Sequence, residues 1–288
     1  MTETVVWVDV DGGQTTLESE MGMAAVSKRF MPPAEISEDV VAGQPGTRIR
    51  SVRHGPRNMV IPFWFVGSSE ADLRTQMRAM VDLMDPVRGE GKIRATSPLG
   101  DQREISCRVS DGLDVEEHLG EGTGAANQLV PVMFHAADPY WYDVTTITPG
   151  DYQVTSSPTF FPFFPIRVSA SEIVVDTTIT NDGSVETWPT WTVFGPGSGI
   201  ALRNLTTGKN LLLSTMTLAT GQYIEIDTRP GFKTVKRDDG TNLWSFVDFG
   251  SALWPLARGA NRVRLEMSGT VPLTSRLRLS YKRRFLSP

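Results

Sequence analysis

The chain has 288 residues, of which 40% are hydrophobic and 21% charged, with one cysteine. That length suggests two domains of roughly 100–200 residues each, and the balance excludes a disordered chain or a disulfide-stapled miniature. A net charge of −5 argues against holding nucleic acid by phosphate neutralisation, and no run of 18 apolar residues predicts insertion into a membrane.

The opening MTETVVWVDVDGG has no basic region and no long apolar core, so it does not read as a signal peptide. Val5 to Val10 is a predicted strand of β-branched and aromatic residues, closed by Asp11-Gly12-Gly13. Residues 31–47 are polar and broken by Pro32, Pro33, Gly43, Pro45 and Gly46, a loop signature. Arg48–Arg53 and Met59–Val66 look like strands paired around a His54-Gly55-Pro56 turn. Residues 69–85 carry the one clear helix. Ser69 caps it, Asp72 gives a weak capping box, and Leu73, Met77, Met80, Val81 and Met84 fall on a single face before Pro86 ends it.

A hairpin follows, with Ile93 and Ala95 on one arm and Ile105, Cys107 and Val109 on the other. Cys107 thereby sits on an inward face and reads as a buried, inert thiol. Being alone, it forms no internal disulfide, so folding needs no oxidising compartment. Residues 118–128 read as an exposed Gly-rich loop, and Leu129–Phe134 as a strand.

Composition shifts near residue 145, giving expected domains 1–144 and 145–288. Beyond a Thr, Ser, Pro and Phe-rich stretch, short strands recur at Ile166–Val168, Ile173–Ile179, Thr190–Phe194, Ile200–Asn204, Asn210–Ser214, Tyr223–Asp227, Lys233–Arg237, Arg262–Met267 and Leu277–Phe285. Asn181-Asp182-Gly183, Gly195-Pro196-Gly197, Arg229-Pro230-Gly231 and Asp238-Asp239-Gly240 supply the turns, the pattern of a β-sandwich. The expected fold is mainly β, with a β-sandwich-like or split-barrel first domain carrying one helix.

Nothing nominates an enzyme. Asp9, Asp11, Glu18 and Glu20 resemble a calcium loop, but Gly13 replaces a ligand, Gln14 replaces the turn glycine, and a strand precedes them. His54, His118 and His135 lack the spacing of a zinc site, and no G-x-S-x-G elbow or phosphate loop is present. No catalytic, metal-binding or cofactor-binding residue is assigned. Trp188 and Trp191, three apart along a strand, lie on opposite faces, so that one can pack in the core and the other stand exposed; they are the candidate sugar contacts of an alternative reading as a carbohydrate-binding protein of host surface glycans, with core packing the competing role.

The order of short motifs resembles the distal tail proteins of phages with long, non-contractile tails, over almost the whole chain. In the first domain the carriers are the opening strand ending Asp11-Gly12-Gly13, the capped helix before Asp85-Pro86, and Ala137-Asp138-Pro139-Tyr140-Trp141-Tyr142 at the boundary. In the second they are Asn181-Asp182-Gly183, Trp188-Pro189-Thr190-Trp191, Gly195-Pro196, Asn204 to Gly208, Leu253 to Leu256, Gly259-Ala260-Asn261 and Tyr281 to Leu286. The stretch Pro158–Pro165 departs from the pattern. The resemblance implies a homo-hexameric ring built by the first domain and an outward galectin-like (carbohydrate-module-like) β-sandwich in the second. It implies a place at the distal end of the virion tail, after assembly in the host cytoplasm. Its implied partners are the tail tube protein, the tape-measure protein, the tail-tip hub and receptor-binding proteins, with DNA met only in passage through a channel.

Overall fold

The computed structural model describes residues 3–20, 22–23, 25–114, 126–153 and 173–288. The predicted strand Ile166–Val168, the Pro/Phe-rich stretch, His118 and most of the Gly-rich loop lie outside them. The chain divides into two compact units. The first comprises residues 1–144 together with 285–288, and the second residues 145–284.

In the first unit the elements are β1 (Thr4–Val8), β2 (Gln14–Thr16), a one-turn helix α1 (Leu17–Glu20), β3 (Ala34–Val40), β4 (Thr47–His54), β5 (Arg57–Val66), α2 (Glu70–Leu83), β6 (Gly91–Thr96), β7 (Gln102–Asp111), β8 (Asn127–Ala136) and β9 (Trp141–Asp143). One sheet runs β9-β7-β6-β1-β2, and β7 passes it on through β8 to β5. The short strand Arg284–Phe285 pairs at the β9 edge. Alternation places Met59, Ile61, Phe63 and Phe65 of β5 and Val130, Val132 and Phe134 of β8 in one core with Ile93, Ile105 and Cys107. Burial pushes the Cys107 thiol far up its scale, which leaves it protonated and unreactive.

Helix α2 begins as its sequence predicts. The Ser69 hydroxyl accepts the Asp72 amide at 3.2 Å, and the Asp72 carboxylate accepts the Ser68 amide at 2.8 Å. Those bonds to Ser68 hold Asp72 below the ordinary carboxylate range. Leu73, Met80 and Met84 are buried, but Val81 is exposed. The docked face is narrower than the predicted stripe.

Two expectations change. Residues 34–40 form a strand, not a loop, and this strand rather than Met59–Val66 pairs with β4. β5 pairs with β8 along its whole length, from Arg57 opposite Ala136 to Val66 opposite Asn127. The physical reason is the pattern of side chains. Buried residues on β5 need apolar cross-strand neighbours, which β8 has and the arginine-rich β4 lacks.

The second unit holds β10 (Asp151–Tyr152), β11 (Ile173–Asn181), β12 (Thr190–Phe194), β13 (Gly197–Asn204), β14 (Lys209–Leu218), β15 (Tyr223–Asp227), β16 (Thr234–Arg237), β17 (Gly259–Ser268) and β18 (Arg276–Ser280). They form a five-stranded sheet, β10-β18-β12-β15-β16, and a four-stranded one, β11-β17-β13-β14. Val193, Ile224 and Leu277 from the first and Leu202, Leu213 and Leu265 from the second share one core, which makes a sandwich.

Three fully buried asparagines tie the turns of the four-stranded sheet. Asn181 donates to the Val185 carbonyl at 2.9 Å and accepts the Gly183 amide at 3.0 Å. Asn204 accepts the amides of Thr206 and Thr207, both at 3.1 Å. Asn261 accepts the Ala257 amide at 2.9 Å and donates to the carbonyls of Ala257 (2.7 Å) and Gly259 (3.0 Å). Each amide side chain does for a turn what a ladder bond does for a strand.

On the outer side of this sheet Arg262 and Arg264 both bind Asp176, at 2.8 and 2.7 Å, and hold its carboxyl down to about 2 from 3.8. A depressed folded value gives stability that is complete above the unfolded value and is lost as pH falls through the folded one. Thermal unfolding followed against pH should therefore show a loss of stability between about pH 4 and pH 2 that Asp176→Asn reduces. An unchanged acid limb in that variant would remove Asp176 as a cause.

Candidate assembly surface

β3 and β4 form an antiparallel hairpin separate from the larger sheets. All but two of its residues are exposed. An isolated two-stranded hairpin is marginal in water, so this one gains its stability from what its faces meet.

The register shows how the sequence sorts its side chains. Ile36 lies opposite Val52 and Ser37 opposite Ser51, after which Glu38 lies opposite Ile49, leaving Arg50 as the extra residue of a bulge. Without the bulge, Ile49 and Val52, three apart, would face opposite ways. With it, Ile36, Val40, Ile49 and Val52 share one face, and they are 52% to 83% exposed. The other face carries ion pairs: Arg53 binds Glu35 at 2.7 Å, and Arg50 binds Asp39. The hairpin is amphipathic, with its apolar side uncovered. Phe30 and Met31, just before it, are also largely exposed. Large uncovered apolar patches mark association sites on soluble proteins. The sequence carried a signal for it, since Ile36 and Val40 alternate with polar residues.

At its base, the His54 imidazole and the Tyr140 hydroxyl lie 2.8 Å apart. The two tryptophans proposed as sugar contacts fare differently. Trp191 is fully buried, 5.0 Å from Trp254 ring to ring, and offers no face to a ligand. Its strand position points into the sandwich, and that correction withdraws it as a stacking platform. Trp188 is partly buried just before β12. The outer face of the five-stranded sheet instead holds Phe194, with Arg276 stacked 4.0 Å over its ring and Tyr223 at 5.4 Å. Arg276 and Arg278 are both paired to Asp151.

The acidic residues near the amino end also have a structural use. Asp9 accepts the amides of Asp11 (2.9 Å) and Gly13 (2.7 Å), closing the turn between β1 and β2, and Asp11 pairs with Arg88 at 3.0 Å.

Two family models match. One, described as a siphovirus-type tail component, C-terminal domain, matches residues 182–285. The other, described as a phage tail protein RIFT-related domain, matches residues 19–161. The chain belongs to the distal tail proteins of siphoviruses. Among solved structures it is similar to the Dit protein of phage SPP1, described as a paradigm of the hub adsorption apparatus in phages infecting Gram-positive bacteria. The identity is 17% and the TM-score 0.70, over 99% of this chain and 100% of that one. It is also similar to a chain in the activated baseplate of phage P2, at 13% identity and a TM-score of 0.50, over 98% of each. No curated protein matches.

Proposed function

We propose that this protein forms a closed ring of six copies between the tail tube and the tip hub of a long-tailed phage. The ring passes DNA through its centre, contacts the tape-measure protein, and offers a platform to receptor-binding proteins. It is put together in the host cytoplasm and works without catalysis. Membership of the tail-component family supports the setting, and the hub and baseplate origins of the structural neighbours fit it. The observation that carries the reading is the β3–β4 arm, a hairpin whose apolar face none of the described residues covers.

A head-to-tail contact whose rotation closes leaves no copy with a bare surface. Each contact then needs about 1,000 Å² or more of buried area, within reach of an arm that wraps a neighbour. The sequence's acidic balance suits a passage for DNA that must not stick.

The test is a pair of charges on the apolar face. Ile49→Asp with Val52→Asp places two carboxylates where an interface must be dry, and should weaken self-association at least 100-fold. Wild-type protein at rising concentration should yield six-fold rings by sedimentation and negative-stain microscopy. The variant should remain a monomer with an unchanged melting temperature. Equal assembly by both, or no closed oligomer of the wild type at any concentration, would overturn the reading.

A further inference from the structure

Alternation on the five-stranded sheet buries Trp191 and Val193 of β12, Ile224 and Ile226 of β15, and Leu277 and Leu279 of β18. The residues between them therefore point outward. On the middle strand β12 these are Thr190, Thr192 and Phe194, and the register sets longer side chains on either flank. Thr192 lies between Arg278 of β18 and Glu225 of β15, and the row runs on to Asp151 of β10 and Lys236 of β16. Small threonines flanked by long charged groups make a trough along β12. Its walls stand two strand spacings apart, about 10 Å. Phe194 closes one end, with the Tyr223 ring beside it and Arg276 stacked over it.

We propose that this trough binds a short, uncharged oligosaccharide, one sugar ring lying on Tyr223 and its hydroxyl groups bonded to Arg278, Asp151 and Glu225. The proposal needs a single copy of the chain and is independent of the ring reading.

Three observations favour that ligand. The first is the pairing of donors and acceptors. The Asp151 carboxylate accepts two bonds from the Arg278 guanidinium, at 2.6 and 3.0 Å, and the pair remains partly open to solvent. A guanidinium only donates and a carboxylate only accepts, so side by side they offer both to a sugar hydroxyl, which does both. The pair is also held in place before a ligand arrives, which lowers the ordering cost of binding. The opposite wall is less occupied. Glu225 and Lys236 are exposed, and neither has an ion-pair partner among the described residues.

The second is the aromatic end. Arg276 takes one side of the Phe194 ring, whereas Tyr223 is half-buried and its hydroxyl has no hydrogen bond among the described residues. A side chain that is apolar on its ring face and polar at its tip suits a sugar, which has an apolar face of C–H groups and a polar rim. The third is charge. On the outward positions of the five strands Arg276, Arg278 and Lys236 stand against Asp151, Glu225 and Asp227. Arg229, beyond the end of β15, pairs with Asp227 at 2.6 Å. Along the row through Thr192 the signs alternate, so a polyanion finds no continuous basic track. The threonine floor gives an apolar protein face little to bury.

The experiment titrates the full-length protein by calorimetry with uncharged hexasaccharides of glucose, galactose, rhamnose and N-acetylglucosamine, and with heparin as the polyanion. At least one uncharged chain should bind saturably with a Kd of about 0.1–1 mM. Thr192→Trp, which fills the trough, should abolish that binding. Tyr223→Ala and Glu225→Gln should each weaken it about fivefold or more. Thr178→Trp, a bulky change at an exposed position of the other sheet, should leave it unchanged. Melting temperatures should stay at the wild-type value. If Thr192→Trp melts lower, Glu225→Gln, an isosteric change of an exposed side chain, decides in its place. No saturable binding of any uncharged chain up to about 10 mM would overturn the proposal. So would binding that survives both Tyr223→Ala and Glu225→Gln, or heparin held more tightly than every uncharged chain. None of these results bears on ring formation, which microscopy of the same samples reads separately.

Discussion

Asn261→Ala should lower the melting temperature of the second unit by about 10–15 °C. The side chain is fully buried and satisfies three backbone groups, the Ala257 amide and the carbonyls of Ala257 and Gly259. Truncation removes the Asn261 partner from all three, at about 1–3 kcal/mol each where water cannot replace the bond. Partial relaxation brings the total to about 3–5 kcal/mol. For a unit near 150 residues each kcal/mol moves the midpoint by about 3 °C. The neighbouring bond from Asn204 to the Asn261 oxygen, at 3.4 Å, is lost as well, so Asn204→Ala and Asn261→Ala should be less than additive in a double-mutant cycle. Asp182→Ala, an exposed change in the nearby turn, is the control and should stay within about 0.5 kcal/mol of wild type. Calorimetry showing Asn261→Ala within 2 °C of wild type, by the roughly 3 °C per kcal/mol above, would refute the clamp.

Arg57→Ala should cost the first unit about 3–5 kcal/mol and free residues 285–288 from it. Arg57 is 1% exposed, and no described carboxylate pairs with it. Its guanidinium donates to the Arg29 carbonyl and, at 2.9 Å, to the Leu286 carbonyl. Burial pulls its pKa down from 12.5 to about 10. A base whose folded value is lowered weighs against folding throughout the range below about pH 10, so the charge itself is a burden. What the side chain contributes is geometry. It joins the segment before the arm to the strand that returns from the second unit, and the Trp141 indole donates to the same Arg29 carbonyl at 3.0 Å. Arg57→Met keeps the volume, sheds the charge and loses both carbonyl bonds. It should therefore cost distinctly less than Arg57→Ala. Hydrogen exchange at the Leu286 and Ser287 amides reads the detachment. Protection equal to wild type in Arg57→Ala would show that the pairing at the β9 edge and Arg103, which donates to the Ser287 carbonyl at 2.9 Å and lies 3.7 Å over the Phe285 ring, hold the segment without Arg57.

Much of the fold could be read from the sequence wherever one residue's neighbours decide its state. The spans Thr190–Phe194 and Tyr223–Asp227 are strands with the predicted ends, because turn residues bound them on both sides. Helix α2 starts at its cap. The predicted stripe is one residue too wide at Val81, since periodicity marks a face but not how far a neighbouring sheet reaches over it. The pairing of β4 went wrong for a different reason. Proximity in sequence favoured β5, but pairing follows the match of faces, and the matching strand for β5 lies some 70 positions later in the chain. The arm is the feature least legible in the sequence. Its alternation is interrupted by the bulge at Arg50, which breaks the two-residue period that a sequence reading relies on and restores it in space. Trp191 shows the same limit from the other side. Parity along a strand says that two tryptophans face apart, but not which one faces inward.

The chain leaves its first unit after residue 144 and re-enters it at 285. Just inside that excursion the two crossing stretches are fastened together. Ile147 and Tyr281 exchange backbone bonds of 2.8 and 3.0 Å, and Asp151 and Tyr152 pair with Arg278 and Leu277. The second unit is thus a cassette with a zipped neck. Any other module whose two ends lie side by side can be spliced into the same opening without cutting a strand of the first unit.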